Sequence, residues 1–267
     1  MNNRELQFKL NEAINKINNS FRLIQSRRAE IMANMSELII KGNKIELELL
    51  NNIGNEGIKR GWAFTQKISY ELQYSIIINE IEGKSNSGNY KILLESVYKG
   101  VMDELANILD GQGSHYLKKQ WELVENNMLI QFVPYQMILI EKLMRETINP
   151  SENDKFISNA NLRNKMKEKV NIIEKHIEKN IPYENMNNFD LSMNLLSKTY
   201  NTLIMKDLYL SAHSQENKNI SIINRQNVLH YYINFDEIHE RDFHQLMFVI
   251  ICMIDLYYLL HEIEFDY

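Results

Sequence analysis

The stretch that most constrains this chain is "LMFVIICMIDLYYLL", residues 246 to 260. It is apolar on every side of a helix, with Asp255 as its one charge. A helix with no polar face must be covered all round, so several other helices have to surround it. The run is shorter than the roughly 20 residues that span a bilayer, and Asp255 interrupts it. It is therefore expected to be a central buried helix. No membrane partner is expected, and the protein is expected in the cytoplasm. The N-terminus, "MNNRELQFKL", lacks the apolar core of a signal peptide.

The rest of the chain can supply the cover. Only three prolines and nine glycines break its 267 residues. Helical spacing recurs at Leu72, Ile76 and Ile77, at Leu94, Val97, Val101 and Leu105, and at Leu139, Leu143 and Met144. Alternating strand patterns and Asn-Gly hairpins are absent. Polar breaks are read at "GNEG" (54–57), "GKSNSGN" (83–89), "GQG" (111–113), "NPSEND" (149–154), "NIPYENMNN" (180–188), "SQENKN" (214–219) and "NFDE" (234–237). The expected fold class is all-α: a helical bundle with a long N-terminal helix of heptad pattern and a helical core at the C-terminus.

The N-terminal pattern is regular. Leu10, Ile17, Ile24, Ile31, Leu38 and Ile45 recur every seven residues, and Ile14, Phe21, Met35 and Leu49 fill the alternate seam. Arg28 and Gly42 are its two interruptions. Such a stripe needs a partner helix, from its own chain or from a second copy. The expected organisation is a helical arm over 1–53, a helical region over 54–150 and a C-terminal helical domain over 151–267.

Composition excludes several classes. The net charge of −5 leaves no overall footprint for nucleic acid, so any such surface must be local. From Lys155 to Lys179 there are seven Lys/Arg against three Glu. That is the ordinary composition of a solvated helix face, or a surface for a phosphate backbone carried by residues such as Lys165 and Lys169. Cys252 is the only cysteine, which excludes an intrachain disulfide and a four-cysteine zinc site. "HERDFH" (239–244) resembles a zinc helix only superficially: His239 and His244 are five apart, not four, and fall on different faces. These residues are expected to be exposed at the start of the last helix. No phosphate loop and no nucleophile elbow occur, so neither metal nor cofactor is expected.

The remaining constellation is "INRQNVLHYY" (222–231), an Arg-x4-His pair, Arg225 and His230. An arginine keeps its charge and offers a fork of donors to phosphate oxygens. A histidine moves protons near neutral pH. Together they suit metal-free cleavage of RNA, in which the 2′-OH attacks the phosphorus. The same residues also suit an ordinary helix, with Arg225 paired to Asp236 or Glu237 and His230 at the edge of a core. Five residues apart on a regular helix, the two side chains point different ways.

From about Ser221 to Leu260 the chain resembles the C-terminal half of HEPN-domain proteins. One defence-type version of their motif reads roughly Asn-Arg-His-x-x-Leu-His-Gly, followed by a short acidic loop and an apolar helix. Here the order is Asn224-Arg225-Gln226-Asn227-Val228-Leu229-His230-Tyr231, then "YINFDEIHERD" and the apolar helix. Gln226 stands where Asn, Asp or His is usual, and Tyr231 where glycine is frequent. The resemblance covers about forty residues. It implies a ribonuclease of phage-defence or toxin–antitoxin type, active as a homodimer whose two Arg/His sets face one cleft. Arg225 would clamp phosphate, His230 would act as general acid and base, and Gln226 or Asn227 would orient the scissile phosphate. RNA is the expected substrate, and an antitoxin or other defence protein a possible partner. The rival expectation is a catalytically silent helical scaffold that uses the heptad stripe.

Overall fold

The computed structural model describes residues 51–52, 54–109, 111–148, 159–180, 188–208 and 235–265. All belong to the unit Leu50–Tyr267. The described residues are helical with no strand, so the fold is all-α. The heptad stripe of residues 10–49 lies outside them.

After a short helical stretch at 54–59 come α1 (Tyr70–Ile81), α2 (Ser87–Ile92), α3 (Tyr98–Ile108), α4 (Gly111–Glu125) and α5 (Leu129–Ile148). Then follow α6 (Asn159–Asn180), α7 (Asn188–Thr199) and α8 (Glu240–Phe265). A π-helical turn, Leu93–Val97, joins α2 to α3, and a second π segment, Tyr200–Leu208, extends α7.

Helix ends follow from local chemistry. Ser69 caps α1 by accepting from Leu72 N at 3.3 Å. At its other end Gly83 takes φ +66°, Lys84 N donates to Asn79 O at 2.7 Å and Gly83 N to Glu80 O at 3.3 Å. This left-handed stop satisfies carbonyls that the last turn leaves open. Asn127, at φ 60°, closes α4 with the same pair of bonds, Met128 N to Leu123 O and Asn127 N to Val124 O. The break expected at "GNEG" is not there. Residues 54–59 are helical through it, and the stop comes later, at Gly61. Gly57 permits the continuation, since a Cβ there would lie 2.9 Å from Ile77 Cδ1.

The core is built on α8. Leu246 to Ile254 are fully or almost fully buried, Cys252 among them, and the cover comes chiefly from α5, with α7 and α3 also in contact. On α5 the buried face includes Phe132, Leu139, Leu143 and Met144. By length and composition α8 could cross a membrane, but 83% of that span is buried inside the fold. The apolar surface is thus used in helix packing, which stabilises by about 25 cal/mol for each Å² removed from water.

The π turn resets the phase of the helix that faces α8. A regular helix through 94, 97, 101 and 105 would bury Leu94 and Val97, as the sequence spacing suggests. Instead Leu93 and Tyr98 are fully buried while Leu94 and Val97 are half-buried. The additional residue of the wider turn makes this shift.

Candidate functional site

The Arg-x4-His segment lies outside the described residues: Arg225, Gln226, Asn227 and His230 are all in it. The described chain resumes at the 3-10 turn Phe235–Glu237 and passes directly into α8. Lys165 and Lys169 lie on α6 and are half-buried, each with an interaction partner. Lys169 Nζ donates to Thr147 O at 3.4 Å, which turns that lysine toward α5. The exposed positions of α6 include Asn161, Asn164, Lys167, Glu168, Ile172 and Lys175, a face of mixed character.

What the structure does bring together is the first turn of α8. Asp242 Oδ2 accepts from His239 N at 2.7 Å, so the third helical residue reaches back to the residue that precedes the helix. Burial raises the Asp242 carboxyl above its ordinary value, against the lowering effect of that bond and of Arg241. Arg241 grips Glu80 of α1 with Nε at 2.7 Å and Nη2 at 3.2 Å, and Nη2 also donates to Arg60 O at 2.7 Å. Gln245 Nε2 donates to the same carbonyl at 2.7 Å. Gln136 of α5, fully buried, donates to Phe243 O at 2.9 Å. Three elements therefore hold this turn in place.

His244 corrects the expectation that "HERDFH" is exposed. His239 and Glu240 are exposed, but His244 has no exposure at all. Its ring stacks on Tyr90 with centroids 4.0 Å apart, and Phe243 meets it edge-on. Nδ1 is 2.8 Å from the Tyr98 hydroxyl. Burial lowers the His244 pKa to about 3, so the ring is neutral at neutral pH. Burial also pushes Tyr98 well above its ordinary value and Tyr90 to about 12, so both phenols keep their protons. Either atom of the Nδ1–hydroxyl pair can be the donor, according to the ring tautomer, and the other ring nitrogen is Nε2. That nitrogen has no hydrogen-bond partner, and the nearest carboxylate oxygen, on Glu240, is 3.7 Å away. This is a near approach to a neutral ring rather than a salt bridge.

An open cleft of about 720 Å³ lies beside this turn, lined by Ile130 and Gln131 of α5 and by Asp236, Ile238, His239 and Glu240. Among the described residues, no three His, Cys, Asp or Glu side chains converge as a metal set would.

A second buried polar group sits farther along α8. Asp255 Oδ2 accepts from Thr65 Oγ1 at 2.6 Å and from Gln66 N at 2.9 Å. It fixes the 62–69 loop against the helix, and burial raises its pKa. Asp255 was visible in the sequence as the single acid in an apolar run. The Tyr90–His244–Tyr98 cluster was not, because nothing in the spacing announces a π turn. The chain matches no family model, no curated protein and no solved structure.

Proposed function

We propose that this chain is a metal-independent endoribonuclease of the HEPN type, working in the cytoplasm in phage defence or growth arrest. The observation that carries the reading is the Arg225-x4-His230 segment, followed by a short acidic turn and an apolar helix. The burial and the three-sided anchoring of α8 support it, since a catalytic pair needs a rigid neighbour. In this reading two subunits face each other and contribute two Arg/His sets to one cleft. A histidine takes the proton of the RNA 2′-OH as that oxygen attacks phosphorus. Arg225, with Gln226 or Asn227, holds the phosphate, and Arg225 offsets the charge that builds on its oxygens. The 5′-oxygen leaves with a proton from a histidine, and a 2′,3′-cyclic phosphate remains. Lys165 and Lys169 would lie along the path of the RNA backbone.

The test is incubation of total RNA with the protein in EDTA. Wild type is expected to cut RNA and leave cyclic phosphate ends. His230→Ala is expected to lose about 10²–10⁴-fold in rate, the usual contribution of a general acid or base, and Arg225→Ala to be similarly impaired. Intact RNA at all protein concentrations, or full activity in both variants, would end this reading.

The heptad stripe from Leu10 to Leu49 favours a second reading, a helical scaffold without catalysis. It expects deletion of residues 1 to 50 to abolish self-association in light scattering, with Arg225 and His230 dispensable. An oligomer that survives the deletion would count against it.

A further inference from the structure

α4 and α5 form an antiparallel hairpin that turns at Asn127, and one edge of it carries an exposed ring between two cations. Three contacts fix the register. Trp121 meets Phe132 edge-on with centroids 5.6 Å apart, Tyr116 meets Tyr135 edge-on at 5.3 Å, and Lys142 Nζ lies 3.5 Å from where a Cβ on Gly113 would be. In that register Ile138 and Lys142 of α5 run alongside Tyr116 and Gly113 of α4. Tyr116 is 51% exposed and Ile138 44%, although both are large and apolar. Tyr116 is nonetheless held: it rests on Tyr135, which is buried and packs in turn against Phe132. The ring is fixed in place with half of its surface open to solvent.

The charge around this ring is one-sided. Lys119 follows Tyr116 by one turn on the same side of α4, and the Lys142 ammonium sits one turn before it, at Gly113. Lys59, Lys67, Lys84 and Lys91 each pair with a glutamate. Among the described residues Lys119 and Lys142 have no ion pair, and both are exposed. The acids of the hairpin do not answer them. Glu141 pairs with Arg145 at 3.2 Å, and Glu146 has a partner of its own. Glu122 and Glu125 lie about 120° and about 180° round α4 from Tyr116 by the 100° step, and Lys118 is on that far side as well. Two cations without counter-charge thus flank the ring, separated by about 9 Å of helix rise.

We infer that this edge of the hairpin binds single-stranded RNA, with a base stacked on Tyr116 beside Ile138 and the flanking phosphates on Lys119 and Lys142. An aromatic face offers stacking to any base, and cations on either side hold the backbone that carries it. A duplex keeps its bases stacked on one another, so the strand has to be single to use the ring. Charge also argues against a second copy of this chain as the occupant. A two-fold contact places the same patch on both sides, and here it would bring unpaired lysines against lysines. The inference rests on the ribonuclease reading for the identity of the polymer, and gives that enzyme a hold on the strand in addition to the Arg225–His230 pair.

The test uses the full chain and a fluorescein-labelled 2′-O-methyl oligoadenosine, which has no free 2′-OH and so is not cut by the proposed route. Fluorescence polarisation is expected to show saturable binding. Tyr116→Leu keeps apolar cover for Tyr135 and is expected to weaken binding about tenfold, within the range for one lost stacked base. Tyr116→Phe keeps the ring and is expected to bind as wild type. Lys119→Gln and Lys142→Gln are each expected to lessen the slope of log affinity against log salt by about 0.7. Both lysines are exposed, so these variants carry the test even where Tyr116→Leu disturbs the hairpin. No saturable binding, equal affinity in the Leu and Phe variants, an unchanged salt slope in both lysine variants, or equal binding of an abasic strand of the same length overturns the inference. Binding of this kind with total RNA left uncut removes the ribonuclease reading and leaves the surface assigned. Cutting of RNA without Tyr116-dependent binding does the reverse.

Discussion

His244 and Asp255 are both buried on α8, yet they respond to acid in opposite senses. The His244 pKa falls to about 3 from an ordinary 6.5 through burial. Below pH 6.5 the unfolded chain takes up a proton there that the folded chain refuses. The contribution of His244 to stability is therefore complete above pH 6.5 and is lost as pH falls toward 3. Urea denaturation from neutral pH to about pH 4.5 is expected to show a loss of about 2 kcal/mol that His244→Phe does not show. Equal slopes in the two proteins would contradict the burial of this ring. Asp255 runs the other way, because its pKa is raised by burial. Its contribution is present at low pH and declines as pH rises through the folded value. Asp255→Asn keeps one oxygen for the Thr65 hydroxyl and the Gln66 N–H and removes the charge. It is expected to change stability by less than about 1 kcal/mol. Asp255→Leu leaves two donors unpaired and is expected to cost about 3 kcal/mol. Equal losses in both variants, measured by denaturation at neutral pH, would mean that the two hydrogen bonds contribute nothing.

At the scale of an element, the π turn Leu93–Val97 decides which side chains meet α8. Tyr90 and Tyr98 are eight residues apart, a separation that a regular α-helix turns about 80° out of line by its 100° step. The wider turn absorbs one residue, so that eight act nearly as seven and both rings reach His244. Glu95, exposed within the turn, is the residue to remove. Its deletion is expected to leave a plain helix with both tyrosines still on His244, and to lower stability by no more than about 1 kcal/mol. Insertion of an alanine at the same place is expected to swing Tyr98 off the core and cost several kcal/mol, as loss of buried aromatic packing does. Thermal unfolding of the two variants tests this, and greater damage from the deletion would refute it. The turn also marks how far periodicity carries. A constant step of 100° finds α5 through Leu139, Leu143 and Met144, and α8 through its apolar run, since both keep regular geometry. It misplaces the face at 94 and 97 because one residue is gained midway. The Arg225–His230 pair is legible as a pattern, since it is local. The contact of His244 with Tyr98 spans 146 positions and depends on that gained residue, so no spacing rule reaches it.

For the whole molecule, the central fact is one helix covered by several others. α5 packs along α8 more extensively than any other described pair of elements, and α7 and α3 complete the contact. Apolar area of this kind has no local partner in sequence: residues 129–148 meet residues 240–265 only when the chain closes over a long separation. Its formation and its loss are thus expected to be concerted. Cys252 sits in the middle of that helix, has no exposure, and is the only thiol in the chain. Burial raises its pKa, so little reactive thiolate exists even if a reagent draws near. Alkylation in native buffer then waits for the core to open, and its rate counts those openings. The modification rate is expected to rise with urea along the same free-energy line as global unfolding, and to slow for any ligand that binds only the folded chain. Prompt labelling without denaturant would show instead that the helix is reached from outside. One sulfur atom thereby serves as a clock for the integrity of the whole assembly, without a label being introduced.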